Sequence, residues 1–191
     1  NFNIFELNIK NTDEVKVLIK SYFKDSPLHT LINVAGITEE GYSKESIYEN
    51  INVNLFSTIN FSIICKDFMI KGGSIVNFAS LASFKGFPNN PGYAASKGGI
   101  ISATRALAYD FAQYNIRVNT IVPGYFKTDM TKNSWLNLKK RKRISAHSML
   151  NRWGKIEEII GPVIFLSSNA SSYITGEKIV VDGGWLSKGL I

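Results

Sequence analysis

Three short apolar runs set the terms on which this chain can fold: Leu28–Val34, Ser74–Ala79 and Ile116–Val122. Each reads as a β-strand, and Lys178–Val181 reads as another near the end of the chain. Between them lie segments whose apolar residues recur every three or four positions, the spacing of an amphipathic helix. Strands that alternate with helices assemble into a parallel sheet with both faces covered. The expectation is an α/β fold on a doubly wound parallel sheet, in one domain over residues 1–191.

Punctuation residues refine that outline. Phe2–Leu7 is strand-like. Asn11-Thr12-Asp13-Glu14 carries an N-cap with a glutamate three positions on. Val15, Leu18, Ile19 and Tyr22-Phe23 follow at helical spacing, and Ser26-Pro27 ends that helix. Ser43 caps a long helix through Tyr48, Ile51, Leu55, Ile59, Ile63 and Met69, closed by Gly72-Gly73. A serine-rich loop follows the Ser74–Ala79 strand, then a helix from near Pro91 to about Tyr114. The basic region Thr128–Asn151 is partly helical, and Ile156–Leu166 is a helix. There are no internal repeats, linkers or low-complexity tracts.

Tyr93 and Lys97 stand four residues apart at the start of the Pro91 helix. That spacing stacks a phenol and an ammonium on one helix face. An unperturbed tyrosine titrates at about 10, too high for a base at neutral pH. A neighbouring cation stabilises the phenolate and lowers that value. Lys97 is therefore expected to depress the Tyr93 pKa and make the pair an acid/base unit. Ser80 lies thirteen residues before Tyr93, just after the Ser74–Ala79 strand. It belongs at the strand's carboxyl end, where open α/β sheets place their ligand crevice. Ser83 competes for that position.

Ser80, Tyr93 and Lys97 at this spacing resemble the catalytic set of the short-chain dehydrogenase/reductase family. Further stretches agree in the family's order: Asn33-Val34-Ala35-Gly36, Asn52-Val53-Asn54-Leu55 and Arg117 through Gly124. The ending Ile174-Thr175-Gly176 with Val181-Asp182-Gly183-Gly184 agrees as well. The resemblance covers essentially the whole chain. It implies a Rossmann-like sheet, NAD or NADP as cofactor, and hydride transfer between the nicotinamide and a secondary alcohol or ketone. By resemblance, Tyr93 exchanges a proton with the substrate oxygen and Ser80 orients the substrate. Lys97 supports Tyr93 and binds the nicotinamide ribose, so both also count as cofactor contacts. Asn54 holds a water in a proton relay to the lysine. The alternative for Asn54 is a solvent-facing helical asparagine.

Asn33, Ala35 and Gly36 border the cofactor by the same resemblance, with Val34 departing from the family's commoner asparagine. Asn33 suits tying adjacent strands together better than touching substrate. Pro123, Gly124, Phe126 and Thr128 match the loop over the nicotinamide carboxamide, with Thr128 as a hydroxyl contact. No glycine triplet of the pyrophosphate-binding kind follows a strand anywhere in the chain. In the family that element precedes the position matching Asn1, so the first β-α-β unit is expected to be missing. An open edge at the Leu28–Val34 strand would result. A non-catalytic fragment unable to bind dinucleotide is one alternative reading. The choice between NAD and NADP depends on that same unit.

Gly124-Tyr125-Phe126, Thr128-Asp129-Met130-Thr131, Arg152-Trp153-Gly154 and Asp182 through Leu186 look like members acting on sugar acids and polyols, gluconate 5-dehydrogenases among them. Much of the pattern also fits 3-oxoacyl-[acyl-carrier-protein] reductases. Composition narrows the partners. With 45% apolar and 19% charged residues the chain resembles ordinary globular proteins. No apolar run approaches the roughly 20 residues of a membrane span, so no membrane partner is expected. The net charge of +7 and the run Lys139–Arg143 raise nucleic-acid binding. That run lacks interleaved aromatics to serve as stacking platforms, so no nucleic-acid partner is expected. A solvated lid-helix face suits it better, or steering of an anionic substrate or acidic carrier. A single cysteine, Cys65, excludes an internal disulfide and fits a cytoplasmic setting. His29 and His147 lack metal-ligand spacing, and no metal is expected. The resemblance implies a homodimer or homotetramer built through the long helices and the C-terminal strand.

Overall fold

The computed structural model describes residues 3–189. Four strands, β1 (Leu28–Asn33), β2 (Met69–Phe78), β3 (Arg117–Pro123) and β4 (Lys178–Val181), form a parallel sheet in chain order. Helix α1 (Thr12–Tyr22) starts at Asn11, whose side chain accepts the Glu14 N–H at 3.3 Å. Helix α2 (Lys44–Asn50) starts at the Ser43 cap. It continues through a π-helical turn at Ile51–Phe56 into α3 (Ser57–Lys66). Helix α4 (Pro91–Phe111) opens on proline, whose missing N–H costs nothing in a first turn. The basic region forms α5 (Lys132–Leu136) and α6 (Leu138–His147), and α7 (Glu157–Ser167) precedes β4.

Adjacent strand residues point to opposite faces, and Ile75 and Val76 show where each face packs. Ile75 and Val118 bury against Leu107, Ala108 and Phe111 of α4. Val76 and Ile121 bury against Leu166, with Ile159 and Val163 of α7 around them. Strands β2 and β3 are thus covered on both faces, and Arg117–Val122 of β3 is buried throughout, whereas Ile32 of β1 is exposed. Helix α4 links β2 to β3 and α7 links β3 to β4, yet they lie on opposite faces while the strands advance one way. The two crossovers therefore have opposite hands, an exception to the right-handed rule.

Two expectations need correction. The long helix stops at Lys66, and Met69 opens β2 opposite Leu28. Gly72 is no helix cap. It lies where the β1–β2 register skips from Leu28–Met69 to Thr30–Ser74, with φ +88° and its N–H bonded to Asn115 O at 2.8 Å. The strand read over Phe2–Leu7 is absent from its described part, Asn3–Leu7, and Phe2 lies outside the described residues. Among the described residues no strand pairs with it. Phe5 instead packs edge-on against Tyr22 of α1 at 5.4 Å.

A buried polar ladder ties α4 to the sheet. Asn33 Nδ2 donates to Asn77 Oδ1 at 2.9 Å and to Ser62 Oγ at 3.1 Å. Asn77 Nδ2 and Thr120 Oγ1 both donate to Thr104 Oγ1 of α4, at 2.9 and 2.7 Å. The Arg117 guanidinium bonds Leu166 O, Ser168 O and Ser171 Oγ, closing the carboxyl end of α7. Asn119 holds Ile174 O and the Glu177 N–H. Asn77→Ala should take one hydrogen-bond partner from Asn33 and one from Thr104, costing about 2 kcal/mol in urea unfolding. Asn60→Ala, which removes one half-buried bond to Thr12, should cost less than about 1 kcal/mol in the same measurement.

Candidate active site

Strand β2 ends at Phe78, and two residues later Ser80 caps a short 3₁₀ turn, its Oγ accepting the Ala82 N–H at 3.2 Å. Helix α4 returns past the same strand end with Tyr93 in its first turn. Ser80 lies close enough to the Tyr93 hydroxyl to pull its pKa down. Lys97 Nζ donates to Phe78 O at 2.9 Å and lies 5.9 Å from the centre of the Tyr93 ring. The structure therefore brings Ser80, Tyr93 and Lys97 together at the carboxyl end of β2. Ser83 Oγ is buried with no hydrogen-bond partner among the described residues, so of the two serines Ser80 meets the tyrosine.

Burial governs the charges here. Lys97 is 5% exposed, and loss of hydration lowers its pKa from 10.5 to about 8. Burial also pushes the Tyr93 hydroxyl above its ordinary value, while the Ser80 side chain pulls it back in part. The expected depression of Tyr93 by Lys97 is thus not what the structure shows. The ammonium points at the Phe78 carbonyl, and desolvation of the phenolate prevails. At neutral pH Tyr93 is a phenol and Lys97 a cation.

Asn54 lies within the π-helical turn and is fully buried, not solvent-facing. Its Oδ1 accepts the Ile37 N–H at 2.8 Å. Its Nδ2 donates to Ile37 O and to Ser96 Oγ, each at 3.0 Å. Ser96 Oγ donates onward to Tyr93 O at 2.8 Å. Ser96 is the residue that sequence reasoning missed. Its signal was a small hydroxyl on α4, three residues after Tyr93, on a helix face that had to be buried. Gly36 crosses above this pair. A Cβ there would sit 3.1 Å from Asn54 Oδ1 and 3.3 Å from Lys97 Nζ, pressing on both.

The remaining expected residues divide between crevice and support. Ala35 is exposed beside Gly36. The Asn33 side chain points into the polar ladder. Pro123 ends β3, and the Gly124 N–H donates to Val181 O at 2.8 Å. A Cβ at Gly124 would come within 2.6 Å of Asp182 Cα, so only glycine lets these loops close on each other. Phe126 is buried with its ring against Gly154. Thr128 is exposed, its N–H donating to Thr131 Oγ1 at 3.0 Å.

Aromatic rings wall one side. Tyr125 lies 5.3 Å from Trp153 and 5.9 Å from Trp185. Trp185 stacks on Phe87 at 6.4 Å and meets the His147 ring at 4.4 Å. Burial raises the Tyr125 pKa, the Arg143 cation opposes the rise, and charge on Tyr93 adds to it. Tyr125 therefore feels charge both from Tyr93 and from α6.

The ribose end of a dinucleotide fits this crevice. An ammonium has three donors; Phe78 O takes one, which leaves donors for a diol. For the pyrophosphate, no strand–glycine–helix turn occurs among the described residues, since β1 is followed by coil up to Ser43.

A Rossmann-like parallel sheet with serine, tyrosine and lysine converging at one strand end defines a nicotinamide-dependent oxidoreductase. The profile of a family described as enoyl-(acyl carrier protein) reductase matches residues 1–186. The 3-oxoacyl-[acyl-carrier-protein] reductase of Thermotoga maritima is 38% identical over 187 residues, covering 94% of this chain and 75% of the relative. The 2-dehydro-3-deoxy-D-gluconate 5-dehydrogenase of Bacillus subtilis is 35% identical over 193 residues, 98% of this chain and 76% of that protein. A crystal structure of gluconate 5-dehydrogenase from Burkholderia cenocepacia, in complex with NADP and tartrate, superposes with a TM-score of 0.92. It is 27% identical, and the match covers 96% of this chain and 74% of that one. The chain belongs to the short-chain dehydrogenase/reductase family of NAD(P)-dependent oxidoreductases.

The Lys97 shift has a thermodynamic consequence. Unfolded lysine keeps its proton up to 10.5, whereas folded Lys97 releases it near 8. Stability gains from Lys97 as pH rises between those values, by at most about 1.4 kcal/mol per pH unit. Urea unfolding of wild type and Lys97→Met across pH 7 to 10.5 checks this. The difference between them should change through that window and be flat below it.

Proposed function

We propose that this site interconverts a secondary alcohol and its ketone on a sugar acid or polyol, with Tyr93 as the group that moves the proton. The convergence of Ser80, Tyr93 and Lys97 at the end of β2 carries this reading. When bound, the nicotinamide supplies or accepts the hydride. In the reducing direction the Tyr93 hydroxyl gives its proton to the substrate oxygen as that oxygen becomes an alcohol. Ser80 donates a hydrogen bond to the same oxygen and fixes its position. Lys97, cationic below about pH 8, offers its remaining donors to the ribose. Asn54, with Ser96 and the Ile37 backbone, positions the floor behind Lys97 and holds the relay water there. Ala35 and Gly36 border the nicotinamide half of NAD or NADP on one side, Pro123, Gly124 and Thr128 on the other. Asn33 and Phe126 brace those walls from behind.

Relatives named for 2-dehydro-3-deoxy-D-gluconate and gluconate support the sugar-acid class. The Thermotoga relative supports a second reading, 3-oxoacyl-[acyl-carrier-protein] reduction. We assign the protein to one Rossmann-type domain acting as a homodimer or homotetramer. Exposed Phe56, Ile63 and Tyr109 on the α2–α3 and α4 helices support that association. A cytoplasmic location accords with the one thiol, Cys65, which burial pushes up to about 12. Among the described residues no helix is long and apolar enough to cross a membrane.

Tyr93→Phe should lower turnover by roughly 10²–10⁴-fold while leaving the heat of NADH or NADPH binding unchanged in calorimetry. Unchanged turnover would exclude Tyr93 as the proton carrier. No heat from either dinucleotide would favour a non-catalytic protein. Oxidation of gluconate, set against reduction of a 3-oxoacyl thioester, separates the two substrate classes.

A further inference from the structure

Helix α6, Leu138–His147, carries Lys139, Lys140, Arg141, Lys142, Arg143 and His147 and no acidic residue. Its cations do not all face one way. The Arg141 guanidinium lies 5.0 Å from the Trp135 ring, and Arg141 O accepts the Trp153 indole N–H at 3.3 Å. Lys142 and Ser145 share that side and line an outer groove with Trp135 and Trp153. At about 100° per residue, Arg143 falls on the opposite side of the helix from Arg141. His147, one turn on, shares its face. The His147 ring packs on Trp185 at 4.4 Å, and Trp185 packs on Tyr125, whose hydroxyl feels charge on Tyr93. Arg143 therefore sits, exposed, on the side of α6 that carries His147 towards Trp185 and Tyr125.

Two features make this an anchor rather than a loose surface charge. Among the described residues Arg143 has no carboxylate partner. The helix beneath it is pinned to the loop that carries Trp185. Ser148 Oγ donates to Gly183 O at 2.9 Å, and Lys188 Nζ donates to Ala146 O at 2.7 Å. The Asp182 carboxylate holds that loop by accepting the N–H groups of Gly184 and Leu186.

We propose that Arg143 binds the carboxylate of a small hydroxy acid whose reacting carbon lies at Tyr93. This rests on the sugar-acid reading above and gives it a recognising residue. A guanidinium presents paired N–H donors that match a carboxylate in two parallel hydrogen bonds. The Arg143 cation partly offsets the burial-driven rise of the Tyr125 hydroxyl. The Tyr125–Trp185 wall displaces water from one side and strengthens such a pair.

Tryptophan fluorescence, titrated with gluconate and with its uncharged counterpart sorbitol, tests the assignment without any turnover. Wild type should bind gluconate at least about tenfold more tightly than sorbitol. Arg143→Met should lose at least about tenfold for gluconate and leave sorbitol unchanged, with Arg143→Lys recovering part of the loss. Lys142→Met removes the same charge from the outer groove and should change gluconate affinity by less than about twofold. The proposal fails if wild type does not saturate with gluconate or binds sorbitol equally well. It fails if Arg143→Met binds gluconate like wild type, or if Lys142→Met loses as much, which would mean general charge steering. It also fails if Arg143→Met weakens acetoacetyl-coenzyme A but not gluconate, since the arginine then holds a carrier phosphate. Tyr93→Phe should keep gluconate binding while losing turnover. Retained turnover there would overturn the reaction assignment and leave the carboxylate contact standing on its own titration.

Discussion

An ammonium ion taken out of water needs acceptors, and the protein gives Lys97 the Phe78 carbonyl at 2.9 Å. The fall in its pKa to about 8 corresponds to roughly 3 kcal/mol of lost hydration. That cost dictates the local architecture. The carbonyl must lie at the last residue of β2, and α4 must start close enough for its second turn to reach back to it. Gly36 must pass without a side chain so that the lysine keeps an open side. Ser80, two residues past Phe78, then meets Tyr93 because the backbone that holds the lysine also places the serine.

Such a charge stays put only if its surroundings do not shift. The ladder from Asn33 through Asn77 to Thr104 and Thr120 fixes the rotation of α4 against β1, β2 and β3. Tyr93 and Lys97 sit on the same helix as Thr104, so the sheet sets where their side chains emerge. On the other side, Asn54 holds both polar groups of Ile37 and reaches Ser96. Buried amides satisfied in this way specify one arrangement, because each alternative leaves a donor or acceptor stranded.

The parts of this design governed by local rules were legible in the sequence. The strands announced themselves as apolar runs, Asn11 and Ser43 as caps, and Tyr93 with Lys97 by helical spacing. What escaped depends on contacts distant in the chain. The extra residue per turn at Ile51–Phe56 has no signature of its own, yet it turns Asn54 inward. Met69 looked helical because its spacing fits α3, but pairing with Leu28 claims it for β2. The opposite hands of the crossovers follow from α7 packing on Val76 and Ile121, and no residue of α7 shows that alone. The direction of the Tyr93 shift was misjudged because spacing shows a neighbouring cation but not the loss of water around both groups.

That loss changes how the pair divides its work. Burial raises the tyrosine and lowers the lysine, so the lysine ammonium is a stronger acid than the tyrosine phenol. In a shared site the lysine is therefore the first of the two to give up a proton as pH rises. Desolvation, which from the spacing alone counts only as an obstacle to ionisation, thereby sets the order in which the two groups ionise.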